Sequence, residues 1–93
     1  MFLLKEIDEL YDRFLDMAFR ANVLDRKTKE LIAVACSVMA DCAPCIEWHY
    51  KQAIQAGVTM DEISEALAIA MALSAGSKRA KYGSLVSNLE HEK

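Results

Sequence analysis

The chain has little that breaks a helix. Its 93 residues include one proline and three glycines. β-Branched residues are scattered and never alternate with polar ones over a useful length, so strands and hairpins are not expected. Basic charge is not in excess either. Eleven basic against 14 acidic side chains leave a net charge of -3, with a pI of about 5.3. That balance argues against a nucleic-acid surface, which is normally basic. Long apolar runs are also missing. The longest, Ala66 to Leu73, is far below the ~20 residues of a membrane span. The opening string Met1-Phe2-Leu3-Leu4-Lys5-Glu6 has neither the charge order nor the apolar length of a signal peptide. The expected setting is cytoplasmic, with no membrane and no nucleic-acid partner. Cysteine is scarce. Three of them in a cytoplasmic chain point to redox or metal chemistry rather than to a disulfide framework. No glycine-rich nucleotide motif is present, and no bound cofactor is expected.

What is abundant is apolar side chain. The hydrophobic fraction is 54%, and 14 residues are alanine. A chain this short forms one domain, here residues 1–93, and buries only about 60–65% of its unfolded surface. It offers more apolar side chain than a single small domain hides, so a homo-oligomer is expected.

The apolar spacing predicts an all-α fold of about five helices. From Leu3 to Arg20, apolar residues recur at Leu3, Leu4, Ile7, Leu10, Tyr11, Phe14, Leu15 and Ala18, the stripe of an amphipathic helix. A second helix opens after Asp25, a good N-cap, and runs to about Ala40. Asp41-Cys42-Ala43-Pro44 breaks it. Proline fits a first turn, so a third helix starts there and runs to Ala56 before Gly57. Thr59 and Glu62 have capping-box spacing, flanked by Val58 and Ile63 as a hydrophobic staple. The fourth helix runs from there to Ala75 and ends at Gly76. A fifth covers Ser77 to Glu90. The stretch Ala66 to Leu73 is apolar on every side, which places this helix at or near a subunit interface.

Chemistry concentrates in Cys42-Ala43-Pro44-Cys45-Ile46-Glu47-Trp48-His49. Cys42 and Cys45 have the CxxC spacing. His49, four residues past Cys45, shares its helical face and reaches its sulfur. Both cysteines lie at a helix N-terminus, where the positive dipole end favours a thiolate over the free thiol of pKa about 8.5. If the second and third helices form an antiparallel hairpin, Glu30 falls opposite residue 52, within about one turn of His49. Its carboxylate then orients His49 or takes a proton from it through water. Each residue also has an ordinary reading: Glu30 as a solvated charge, His49 as a packing residue. Cys42, Cys45, His49 and Glu30 formally make four zinc ligands, but no second CxxC supports that set. A Cys-Ala-Pro-Cys string also looks like a thioredoxin motif, yet the βαβ setting is missing. Cys36, among Val34, Ala35 and Val38, reads as a small core hydrophobe. Trp48, Phe14 and Met71 are candidates for an apolar site wall, or plain core.

The pattern Glu30-x11-Cys42-x2-Cys45-x3-His49 resembles the signature of the alkylhydroperoxidase D-like branch of the carboxymuconolactone decarboxylase family. Its flanks, Lys29-Glu30-Leu31-Ile32-Ala33 and Ala53, Gly57, Asp61, Glu62 and Ala66, agree. The resemblance runs from about Asp25 to Val86. It implies an all-helical alkylhydroperoxidase D-like fold whose small members form trimers or hexamers. It also implies a thiol-dependent peroxidase or disulfide oxidoreductase acting on hydroperoxides in antioxidant defence. By that analogy Cys45 is the peroxide-attacking thiolate, passing through a sulfenic acid. Cys42 donates a proton and resolves it into a Cys42–Cys45 disulfide. Glu30, His49 and a bound water form the proton relay, and a dithiol or lipoyl-type protein donor restores the thiols. One position departs from the pattern. Pro44 stands where the best-known peroxidases have a histidine, which weakens the peroxidase expectation and leaves disulfide exchange intact. Two alternatives stand beside it: the family's lactone decarboxylation, which does not depend on a CxxC so that the pair argues against it, and a non-catalytic oligomeric redox sensor.

Overall fold

The structure, a computed structural model, describes residues 2–92; Met1 and Lys93, the ends of the domain expected over 1–93, lie outside the described residues. Four helices follow one another: α1 (Lys5–Phe19), α2 (Arg26–Met39), α3 (Ala43–Gln55) and α4 (Met60–His91). No strand occurs among the described residues, as the lack of strand patterning predicts.

Local chemistry explains the boundaries. Asp25 caps α2 by accepting from the Thr28 backbone N–H at 2.7 Å. The α4 capping box is complete. Thr59 accepts from the Glu62 N–H at 3.2 Å, and Glu62 accepts from the Thr59 N–H at 2.9 Å. Val58 and Ile63, the staple pair, are both buried. Helices α2 and α3 each end in a Schellman turn. After α2, the Cys42 N–H donates to Ser37 and the Asp41 N–H to Val38; after α3, Val58 donates to Ala53 and Gly57 to Ile54. Both turns need a left-handed residue. Gly57 supplies it at φ 88°, and Asp41 at φ 54°. Aspartate is one of the few side chains that tolerate this region.

The expected fourth and fifth helices are one. Helix α4 passes through Gly76 and Gly83 without a break, and neither adopts a positive φ. A glycine ends a helix when it turns left-handed; here it stays helical, at a cost of about 1 kcal/mol relative to alanine.

Helices α2 and α3 form the expected antiparallel hairpin, and α4 runs parallel to α2. Lys27 meets Glu62 at 3.0 Å near one end, and the Ser74 hydroxyl meets the Met39 sulfur at 3.2 Å near the other. A small core of Val34, Ala53, Val58 and Ile63, with Leu31, Ile46 and Leu67 against it, joins the three helices. Helix α1 packs mainly on α2, meets α3 where Phe19 stacks on His49, and buries no residue.

The chain does not close on itself. Its radius of gyration is 18.0 Å, against about 12 Å for a compact chain of this length. It exposes 7569 Å², whereas a folded monomer of 10.4 kDa exposes about 5,400 Å². One burial expectation, Cys36 as a core residue, fails for that reason, and the apolar stretch expected at a subunit interface is open in the single chain. Of the apolar stretch Ala66–Leu73 only Ala70 is fully buried, and Ile69, Met71 and Leu73 stand in the open. Cys36 is exposed rather than core. The buried face of α2 is Glu30, Ala33, Val34 and Ser37, and Cys36 is turned away from it, into an apolar groove with Ile32 and Ile69.

Candidate functional site

The hairpin brings three of the four expected residues to one cavity. Glu30, Cys45 and His49 line a space of about 710 Å³ between α1, α2 and α3. Glu30 is 4% exposed, and its Oε2 lies 2.8 Å from His49 Nδ1. An ionised carboxylate only accepts, so Nδ1–H donates and Nε2 is left as the ring's acceptor. The pairing sits one turn nearer the hairpin bend than equidistance predicts. Gln52, the counterpart expected for Glu30, instead accepts from the Arg26 guanidinium at 2.8 Å.

Cys42 and Cys45 are joined in a disulfide with their Cα atoms 5.2 Å apart. The two sulfurs are not equivalent. Cys42 is the N-cap of α3, and its Sγ accepts from the Cys45 backbone N–H at 3.2 Å. A negative charge on Cys42 is therefore placed where the helix offers an unpaired N–H and its positive dipole end. Cys45 lies one turn inside and faces the cavity. Cys42 lies on the other side, against Ser37, Val38 and Ile46. The left-handed Asp41 makes this arrangement, because it turns the chain sharply enough to deliver Cys42 to the cap.

Helix α1 forms the remaining wall. Phe19 stacks on the His49 ring, with centroids 4.8 Å apart and planes at 30°. The end of α1 is held by Lys29, whose ammonium donates to the Ala18 carbonyl at 2.9 Å and the Arg20 carbonyl at 2.7 Å. A cation on a helix's last carbonyls is the favourable placement. The sequence reading missed Phe19, Lys29, Arg26 and Tyr11. All four act between helices, Phe19 and Arg26 on α3 and Lys29 on the end of α1, and no local pattern encodes how the helices are placed. Of the three apolar wall candidates, Trp48 lines the cavity; Phe14 and Met71 do not, and both are exposed. Pro44 also lines it, so the position that departs from the peroxidase pattern presents an apolar ring to the site.

Two carboxyls near the helix starts are tuned by their caps. The Thr28 backbone N–H holds the Asp25 carboxyl below its ordinary value, helped by the Thr28 hydroxyl. The Thr59 backbone N–H and the Lys27 ammonium do the same for Glu62. Among the described residues no group of three or more histidine, cysteine or carboxylate side chains is arranged to hold a metal ion.

The site is thus an all-helical hairpin with a CxxC disulfide at a helix N-terminus and a Glu30–His49 pair on the neighbouring turns. The family model for the carboxymuconolactone decarboxylase family matches residues 5–84, and the chain belongs to that family. Among solved structures it resembles a Methanobacterium thermoautotrophicum protein, 34% identical, with a TM-score of 0.82 over 88% of this chain and 92% of that one. A crystal structure of a Thermotoga maritima protein matches at 30% identity and a TM-score of 0.72, over 96% of this chain and 82% of that one. A further structure of it, at 24% identity and a TM-score of 0.70, covers 98% and 100%. That structure is described as a carboxymuconolactone decarboxylase family protein with a possible part in an antioxidative response. Uncharacterized protein 4 in the cox locus of Paracoccus denitrificans is 39% identical over 70 residues, 75% of this chain; the chain spans 63% of that relative's length. No helix among the described residues is long and apolar enough to cross a membrane.

Proposed function

We propose that this protein is a cytoplasmic thiol–disulfide oxidoreductase that reduces hydroperoxides through Cys45 and Cys42. The observation that carries the reading is the cavity lined by both Cys45 and a His49 that a buried carboxylate holds. In the dithiol form His49 Nε2 takes the Cys45 proton, directly or through one water, while Glu30 fixes the ring's tautomer. The Cys45 thiolate attacks the distal oxygen of ROOH. The O–O bond breaks, ROH leaves with a proton from Cys42, and Cys45 becomes a sulfenic acid. The Cys42 thiolate then displaces hydroxide from that sulfur, which takes up a proton as water, and the disulfide forms.

Reduction runs the same geometry backwards. A donor dithiol attacks the cavity-facing Cys45, and Cys42 leaves as the thiolate. A stabilised leaving thiolate speeds exchange, and the α3 N-terminus supplies that stabilisation. The donor's second thiol then breaks the mixed disulfide, yielding the donor disulfide and the protein dithiol. Pro44 in the wall supplies no additional base. The balance therefore favours dithiol–disulfide exchange over rapid peroxide turnover. The working form is a homo-oligomer, which buries the apolar surface the single chain leaves open.

A coupled assay with dihydrolipoyl-type and thioredoxin-type donors tests the reading. Hydroperoxide-dependent donor oxidation should vanish in Cys45→Ser. Turnover retained in that variant would overturn the assignment. Decarboxylation of a carboxylated lactone by a Cys42→Ser, Cys45→Ser protein would assign the family's other chemistry instead.

A further inference from the structure

The second half of α4 is an unpartnered surface. Helix α2 ends at Met39, beside Ser74. Helix α4 continues to His91, an arm of roughly 25 Å at 1.5 Å per residue. Every residue from 75 to 91 is exposed. Yet the arm is amphipathic, not polar: Tyr82, Leu85, Val86 and Leu89 share one face. Up to Leu89 its charge is of one sign. Between Glu65 and Glu90 there is no acidic side chain, and Lys78, Arg79 and Lys81 are basic. Lys81 precedes Leu85 by one turn, at the edge of the apolar face.

Helix α1 is its complement. It buries nothing, and its apolar stripe Ile7, Leu10, Tyr11 and Phe14 is exposed. Five acids, Glu6, Asp8, Glu9, Asp12 and Asp16, outnumber Lys5 and Arg13. The two helices are apolar on one face and opposite in charge, and in the chain by itself neither has a partner for that face.

We infer that the α4 arm of one copy packs its Tyr82–Leu89 face on the α1 stripe of a second copy. Exchanged about a two-fold axis, the contact is made twice, each chain giving and receiving an arm. The surface available is sufficient. The chain exposes about 2,200 Å² more than a compact monomer of its mass, and a standard interface needs about 800 Å² per partner. The charges set the pairing: an arm repels a second arm, and an α1 repels a second α1. The consequence reaches the site. Helix α1 carries Tyr11, Leu15 and Phe19 into the cavity wall but is tied to its own chain mainly at the Ala18–Arg20 end. The neighbour's arm holds the rest of that wall in place. This deepens the redox reading, while its test needs no turnover.

The test is a charge exchange on the full oxidised chain, read as mass by light scattering. The native chain should run as a multiple of 10.4 kDa. An arm variant (Lys78→Glu, Arg79→Glu, Lys81→Glu) should fall to monomer. So should an α1 variant (Glu6→Lys, Asp8→Lys, Asp12→Lys). Mixing the two should restore assembly, because each now complements the other and not itself. Failure of the mixture to assemble, with both variants helical by circular dichroism, would overturn the pairing. So would a native mass of 10.4 kDa. If either variant loses helicity, cross-linking decides. In a Cys36→Ser, Cys42→Ser, Cys45→Ser background, chains with Phe14→Cys and chains with Leu85→Cys should join to each other through a short bismaleimide. Joining of Leu85→Cys chains only to themselves would replace the inference with an arm–arm contact. Lost peroxide reactivity at unchanged mass would count against the redox reading alone.

Discussion

Replacing Glu30 separates its charge from its shape. Its carboxylate accepts from His49 Nδ1 at 2.8 Å, and the two side chains are only 5% and 15% exposed. Hydrogen bonds to a charged group are worth about 1.5–3 kcal/mol. If that energy holds His49 in the tautomer and orientation that deprotonate Cys45, Glu30→Ala should slow peroxide-driven disulfide formation by about 10- to 150-fold, at roughly tenfold per 1.4 kcal/mol. Glu30→Gln keeps an acceptor in place but no charge, and should fall between the two. The assay is stopped-flow fluorescence of reduced protein mixed with a hydroperoxide. Trp48 is the single tryptophan and lines the same cavity as Cys45, so it reports the reaction locally. The pH midpoint of Cys45 alkylation should rise in the same order. Rates within twofold of native for Glu30→Ala, or an alanine variant faster than the glutamine one, would refute the relay.

Phe19→Leu removes the ring stacked on His49, an aromatic contact of about 0.5–1.5 kcal/mol, and should slow the same reaction by about 2- to 10-fold without changing the oligomeric mass; a native rate would make Phe19 simple packing. Gly76→Ala and Gly83→Ala add a Cβ that meets nothing within 4 Å and lies away from the Tyr82–Leu89 face. Each should stabilise by about 0.5–1 kcal/mol, seen as a Tm several degrees higher, and a lower Tm would mean that another element occupies that space. Acid should weaken the fold through Asp25 and Glu62. Both carboxyls titrate below their ordinary values when folded, so their stabilisation is present above the ordinary carboxylate range and is lost as pH falls through the lowered folded values. Thermal melts from pH 7 to pH 3 should show a shallower decline for Asp25→Asn with Glu62→Gln, and an unchanged slope would remove the two caps from the account.

Local rules carried most of the architecture. Asp25, Thr59 with Glu62, and Pro44 mark helix starts because caps and proline act over three or four residues. The break at Asp41 made an antiparallel hairpin readable, and hairpin arithmetic placed Glu30 within a turn of His49. The exact register was not readable, since it follows from how Val34 and Ala53 pack, not from chain distance. Gly76 looked like a stop because glycine commonly ends helices. Only its backbone angle, fixed by the surrounding turns, decides otherwise. Cys36 read as core because its neighbours Val34, Ala35 and Val38 are apolar, and composition does not say whether the covering surface belongs to the same chain. Phe19 over His49 was invisible for a related reason. Nothing in α1's own pattern says that Lys29 will hold its last turn against α2.

The central claim is that Cys45 meets the oxidant and Cys42 resolves it. Cys42→Ser leaves the attacking sulfur without its partner and should trap it. After brief exposure of the reduced variant to a hydroperoxide and a sulfenic-acid-specific dione, mass spectrometry should find the adduct on the peptide containing Cys45. The matching Cys45→Ser protein should carry none on Cys42. An adduct on Cys42 or Cys36 instead, or none on any cysteine while peroxide is still consumed, would contradict the account.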